Sequence, residues 1–323
     1  MLRTIVSAAC LSLFSGQAFS QPANPLPQGT ITIVVPLAAG GPADVMARML
    51  ADHIGSRTGR TVIVENKPGA AGNIGASAVA SSPATGSVWL YTVDSVVTVN
   101  PHLAKGQKLN AATELAPTAQ VGAVALILAV NAKRVPAQSF AELLSYSKTH
   151  EPNFGSAGIG SPGHLAFELL KMKAGMAGTH VPYRGAALVL NDLLAGQIEA
   201  AFITGGALLP HVKSGALRAL AVSSDKRSAQ LPDVPTAAEA GVSGFEATFS
   251  NYLLAPAATP ANVIEFMAMQ VKDFMARPDA RHRLEELFME PSFAGPAESQ
   301  ARAAQDREKW GHVVTATGMK QDQ

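Results

Sequence analysis

The 323-residue sequence has little charge and almost no cysteine. Only 15% of its residues are Asp, Glu, Lys or Arg, and 25 Lys+Arg against 24 Asp+Glu leave a formal net charge of +1. That balance argues against a nucleic-acid binder, which would show a strongly basic face or stripe. The single cysteine, Cys10, permits no internal disulfide and no cysteine-based metal site. No H-E-x-x-H motif occurs, and no second histidine stands four residues after His164, so neither a metal nor a cofactor is expected. The G-x-S-x-G nucleophile elbow is also absent: Ile159 stands two residues before Ser161, and Phe245 two residues after Ser243. No catalytic residue is assigned. What the chain does have is 47% hydrophobic residues, 28 glycines and 21 prolines, enough to bury a large core and to exclude disorder as the main state. At roughly 100–200 residues per domain, the length suits two domains.

Residues 1–20 read as a secretory signal peptide. Arg3 supplies the positive n-region, Ile5 to Phe14 the apolar core, and Ala18-Phe19-Ser20 the small residues before a cut near Ser20. The apolar run is too short to cross about 30 Å of hydrocarbon, and Ser7-Ala8-Ala9 before Cys10 is a poor lipidation signal. The expected product is a soluble exported protein without cysteine, located in the periplasm of a Gram-negative host.

Strand and helix patterns then alternate. The apolar run Thr30–Val35 predicts a buried strand, Ala43–Ile54 a helix with Val45, Met46, Met49, Leu50 and Ile54 on one face, and Thr61–Glu65 a second strand. A helix over Asn73–Ala80 and a strand over Val88–Val93 complete a βαβαβ start, which predicts a parallel sheet with helices on both faces. A second set opens with a strand over Val124–Val130. Helices are predicted over Ser139–Lys148, Gly163–Lys173, Ala187–Leu194 and Gly206–Lys213, and strands over Asn153–Gly155, Thr179–Val181, Glu199–Ile203 and Leu217–Val222. The C-terminal part predicts helices over Pro260–Ala276, Asp279–Met289 and Ala297–Thr315. Without a polar linker between the two sets, crossing strands are expected to join them as a hinge.

Four loops at predicted strand ends carry the functional signal. Pro36–Asp44, with Gly40 and Gly41, opens a helix whose unpaired N–H groups and dipole suit an anion without any Lys or Arg. Gly155–His164 offers Ser156 and Ser161, although Ser161-Pro162 reads equally well as an N-cap followed by proline at N1. His164 is most simply a packed histidine. In His180–Ala187, the amides of Gly185, Ala186 and Ala187 would make a second cradle; Tyr183 suits packing and Arg184 solvent. Thr204 with Gly205 and Gly206 ends a further strand. Ligands of open α/β sheets bind outside the carboxyl ends of strands. Each loop alone also serves as an ordinary turn; together, on two halves, they describe a cleft lined mainly by backbone N–H groups and hydroxyls.

At these loops the sequence resembles the solute receptors of tripartite tricarboxylate transporters, the Bug family. The matching stretches are ITIVVPLAAGGPADVMAR (31–48), VIVENKPGAAGNIGA (62–76), FGSAGIGSPGHLAFELL (154–170), HVPYRGAALVLNDLLAGQIEAAF (180–202) and LRALAVSSDKRSAQLPDVPTAAEAG (217–241). The resemblance implies a type II periplasmic-binding-protein fold, two α/β lobes joined by a two-strand hinge, with lobe 1 over 24–123 plus 222–323 and lobe 2 over 124–221. It implies a receptor, not an enzyme, that binds a small carboxylate (a di- or tricarboxylate or an aromatic acid) in the interlobe cleft for uptake through the membrane permease subunits. A monomer is expected. The implied ligand-binding residues are Ala38, Gly40, Asp44, Gly185 and Ala186, with Ser156, Ser161 and Thr204 as further contacts. A ligand-sensing receptor for a signalling partner is the alternative, and a hydrolase using Ser161 and His164 a more remote one.

The sequence departs from the family pattern at Ile159, where Asn is common, at Ala186 and Leu188, in place of Ser and Pro, and at Ile203-Thr204, in place of Asp-Asn. Polar groups are lost and space is gained. These departures argue against an amino acid, whose ammonium would want a carboxylate, and for a larger or partly apolar acid.

Overall fold

The computed structural model describes residues 24–103 and 109–320, so the expected leader, Cys10 and the cut near Ser20 lie outside the described residues. The chain begins with β1 (Ile31–Val35), α1 (Pro42–Thr58), β2 (Val62–Asn66), a 3-10 turn at Ala70–Gly72, α2 (Asn73–Ala80) and β3 (Val88–Val93). Three short helices, α3 (Ser95–Thr98), α4 (Asn100–Leu103) and α5 (Ala111–Glu114), lead to β4 (Leu115–Val124). The next stretch runs β5 (Leu126–Asn131), α6 (Phe140–His150), β6 (Asn153–Ser156), α7 (Pro162–Ala174), β7 (Thr179–Pro182), α8 (Ala186–Ala195), β8 (Ala200–Thr204), α9 (Gly205–Lys213) and β9 (Leu217–Val222). It closes with β10 (Phe249–Pro256), α10 (Ala261–Met275), α11 (Pro278–Glu286), β11 (Met289–Ala294) and α12 (Pro296–Thr317).

The strands form two sheets, one of six strands in the order β11-β4-β10-β3-β1-β2 and one of five in the order β7-β6-β8-β5-β9. Side-chain alternation explains why both are covered on two faces. In β1, Ile31, Ile33 and Val35 enter one apolar cluster with α1 and α10, while Val34 enters another with α2 and α3. In the second sheet Leu126, Leu128 and Val130 face α6 and α7, while Ile127 and Ala129 face α8 and α9. Helix α12 spans the halves: Trp310 stacks on Phe249 at 5.1 Å and joins the same cluster as Phe167 of α7.

Three expectations are corrected. The six-stranded sheet is mixed: β1, β2 and β3 are parallel, but β10 runs antiparallel to β3 and β4, and β11 to β4. The chain re-enters this sheet only after completing the other, and β10 inserts between β3 and β4. Val124 does not begin a strand but ends β4, with Ala125 alone before β5; the continuous small and apolar run offers no turn residue to mark the break. The helix expected to reach Met289 stops at Glu286, where Phe288 takes a positive φ of 59° and Met289 begins β11.

The chain passes between the sheets through Ala125 and again between β9 and β10. Ser223 ties these passages together. Its N–H donates to the Leu126 carbonyl at 2.8 Å, its hydroxyl accepts from the Leu126 N–H at 2.8 Å and donates to the Ala247 carbonyl at 2.7 Å.

Candidate functional site

The loop after β1 is organised by one carboxylate. Asp44, on the first turn of α1 and 3% exposed, accepts from the Gly40 N–H at 2.9 Å, from Arg48 Nη2 at 2.9 Å and Nε at 3.1 Å, and from Asn66 Nδ2 at 3.0 Å. The Arg48 hydrogen bond, with those from Gly40 and Asn66, holds its pKa at about 2 despite burial. Gly40 takes a φ of +80°, which glycine adopts freely, and directs its N–H inward to Asp44. Ala38 lies exposed in the same loop.

The glycine loop after β6 rests on a stack of two histidines. Ser156 Oγ lies 2.7 Å from His180 Nε2, donates to the Gly158 carbonyl at 3.0 Å and accepts from the Gly158 N–H at 3.2 Å. The His164 and His180 rings stack at 3.6 Å, and His164 Nδ1 accepts from the Gly160 N–H at 3.2 Å. Burial lowers both pKa values, to about 3 for His164 and about 4 for His180, so both rings are neutral near pH 7. His164 is packed, as expected. Ser161 occupies the N-cap position of α7, but its side chain makes no capping bond and its hydroxyl has no partner. The Ser161–His164 pair of the hydrolase alternative is therefore not formed. The Ser156–His180 pair that does form lies beneath the surface, with Ser156 1% exposed.

Gly185 and Ala186 head α8, which also lacks a side-chain cap. Ala186 is exposed, and Tyr183 turns its hydroxyl to Asp192 at 2.7 Å. Gly158 packs against the Tyr183 carbonyl, so the second and third loops meet. Thr204 lies at the hinge instead: it pairs with Leu126, and a Cβ on the following Gly205 would overlap the Phe288 ring.

A cavity of about 250 Å³ lies where the halves face each other. One wall is the glycine loop Ala157–Pro162; the other comes from Leu37, the turn at Ala71-Gly72, the end of β3 at Thr92-Val93, and Ser95, Val96 and Asn100. The walls touch closely, since a Cβ on Gly160 would overlap Leu103 of α4. Asn100 Nδ2 donates to the Ala71 carbonyl at 3.0 Å and to Asn73 Oδ1 at 2.8 Å, pinning a turn in which Gly69, Ala70, Ala71 and Gly72 all have positive φ. Held strain of this kind concentrates at functional sites. Of the eight sequence-derived residues, only Ser161 lies on the cavity wall. Thr92, Ser95 and Asn100 were missed, although Thr92 lies at the carboxyl end of β3, Ser95 and Asn100 follow it, and the strand-end rule that flagged the other loops applies to them. A larger cavity of about 610 Å³ opens at the hinge, lined both by Glu285, Glu286 and Glu290 and by Lys226, Arg227, Arg281 and His282, and no strand-end glycine loop reaches it.

Among the described residues no charged side chain lines the smaller cavity, no group of three or more His, Cys, Asp and Glu is placed to hold a metal, and no helix is long and apolar enough to cross a membrane. The site is a neutral enclosure between two α/β halves, bordered by helix N-termini. The two-sheet α/β fold is shared with solved structures that the chain matches. BugT of Bordetella pertussis is 32% identical over 99% of this chain and 99% of its own length. Among solved structures, Rpa4515 of R. palustris with adipate matches at 31% identity and a TM-score of 0.80, covering 91% of this chain and 99% of that one. The periplasmic binding protein BugD matches at 32% identity and a TM-score of 0.77, over 92% and 100%. The family model for the tripartite tricarboxylate transporter family receptor, TctC, matches residues 46–319, and the chain belongs to this TctC/Bug family of periplasmic solute-binding proteins.

Proposed function

We propose that the protein captures a small carboxylate, a di- or tricarboxylate or an aromatic acid, between its lobes and delivers it to the membrane subunits of a tripartite tricarboxylate transporter. The observation that carries the reading is the set of helix heads without side-chain caps, at α1, α7 and α8, beside a cavity that no acidic side chain lines among the described residues. Adipate, named with the related Rpa4515, is a ligand of this chemistry. The carboxylate is assigned to the loops at Ala38 and at Gly185-Ala186, where the heads of α1 and α8 offer unpaired N–H groups and a positive dipole end. Asp44 and Gly40 set the shape of the first loop, Ser156 that of the glycine loop, and Ser161 and Thr204 stand at the heads of α7 and α9. Lobe 1 is assigned to 24–123 plus 222–323 and lobe 2 to 124–221, moving about the passages held by Ser223. The mature receptor, cut near Ser20, acts as a periplasmic monomer without catalysis.

Charge-assisted hydrogen bonds of about 1.5–3 kcal/mol each, less the cost of association, suit roughly micromolar affinity. Calorimetry with dicarboxylates, tricarboxylates, aromatic acids and amino acids tests the reading. Saturable binding of an acid from the first three groups is expected; binding of amino acids alone, or of none, overturns it. Uptake of the labelled acid in a deletion strain with an intact permease then separates delivery from signalling.

A further inference from the structure

Two hydroxyls on the cavity wall have no hydrogen-bond partner: Thr92 Oγ1, on a residue 1% exposed, and Ser161 Oγ. They come from opposite halves, one from the end of β3 and one from the head of α7. A buried polar group without a partner destabilises the fold. Valine would fill the place of Thr92 and suits a strand equally well. A bound molecule that supplies the missing partner explains why hydroxyls stand there.

The surroundings define that molecule. Val96 and Ile159 give the cavity apolar surface beside Ser95 and Asn100, and the Asn100 Nδ2 is committed to Ala71 and Asn73. At the head of α7, Pro162 has no N–H, and Gly163 is packed against the Phe202 carbonyl. Among the described residues no Lys or Arg lines the cavity to offset a second carboxylate, and taking such a charge out of water without a partner is unfavourable. A hydroxyl or carbonyl group matches the two free hydroxyls. At about 30 Å³ per water-sized group, the volume suits roughly eight non-hydrogen atoms, a six-carbon chain or a single ring.

We infer that the ligand carries one carboxylate only and presents to this cavity an uncharged hydroxyl or carbonyl, held between Thr92 and Ser161 on a body packed against Val96 and Ile159. This rests on the carboxylate reading above and narrows it away from diacids.

Two matched series test it by calorimetry on the purified protein: hexanoate, 6-hydroxyhexanoate and adipate, and benzoate, 4-hydroxybenzoate and terephthalate. In at least one series the hydroxy acid is expected to bind roughly three- to tenfold tighter than its unsubstituted parent, the worth of one neutral hydrogen bond, and tighter than the diacid. Thr92→Val should erase that advantage and raise the melting temperature of the free protein, because an unpaired polar group is removed. Ser161→Ala, a smaller change, should reduce the same advantage. A diacid binding tightest in both series, or an advantage that survives both substitutions, overturns this inference and leaves the carboxylate reading standing. Binding of none of the six acids overturns both.

Discussion

A single carboxylate shapes the loop after β1. Asp44 gathers Gly40, Arg48 and Asn66, and Asp44→Asn would leave donors facing one another; it should cost about 1–3 kcal/mol in urea melts at pH 7. Arg48 is 51% exposed at its side chain, so solvent screens its share of the pair. Because the folded pKa of about 2 lies below the ordinary 3.8, this stability is present above pH 4 and is lost as pH falls toward 2. The two stacked histidines act over a higher window. Their pKa values of about 3 and about 4 are lowered from 6.5, so the unfolded chain binds more protons below 6.5, and stability falls as pH drops from there. The loss is at most about 1.4 kcal/mol per pH unit for each ring, and His180→Asn should make the decline between pH 6.5 and 5 shallower. Asp94 works in the opposite direction. Burial first, then the nearby charge of Asp306, raises it from 3.8 to about 8, so stability is lost as pH rises between those values. Asp94→Asn should therefore be the more stable protein at pH 8, by roughly 1–3 kcal/mol, with the difference shrinking toward pH 4. Equal denaturation curves at pH 8 would contradict this assignment.

At the scale of elements, helix heads without side-chain caps recur. α1, α7 and α8 have Gly41, Ser161 and Gly185 at their N-cap positions, and none of these makes a capping bond through a side chain. Ala186→Asp tests the head of α8 without disturbing the positive φ of Gly185. A carboxylate at the first helical position favours the dipole, so stability should hold or rise slightly. The same charge should oppose an anionic ligand and weaken acid binding by about tenfold or more in calorimetry. Most of these elements were legible: α2, β3 and β9 have the predicted bounds, and α1, α7 and α8 extend the predicted ranges by a few residues. β4, β10 and β11 were not. β10 is buried along its whole length, and Phe249–Pro256 shows no alternation to distinguish a strand from a buried loop. β11 follows α11 through Leu287-Phe288 alone, with no Gly or Pro to mark the turn.

At the scale of the whole molecule, two halves share one short anchor. Ser223→Ala would leave the Leu126 N–H and the Ala247 carbonyl each without a buried partner, and should cost about 2–4 kcal/mol in urea melts at pH 7. A loss under 0.5 kcal/mol, the range of an ordinary surface change, would show that the passages do not depend on it. α12 adds a second tie, carrying Trp310 into the cluster built around β5, β6 and α7. Any closure about the hinge therefore works against packed contacts, and only a ligand touching both halves supplies the differential free energy to select it.

The sequence by itself determined the alternation of strand and helix, the sparse charge and the glycine loops at strand ends, because these follow from local periodicity and backbone freedom. It also carried the family resemblance, which the TctC match bears out. Only the tertiary structure decided which loops face one another. It drew Thr204 to the hinge, turned Ser156 onto His180, and set Thr92 opposite Ser161 across a cavity. Those pairings join residues far apart in the chain through sheet order and through β10, which returns between β3 and β4 after the second sheet is complete, and no local pattern encodes that return.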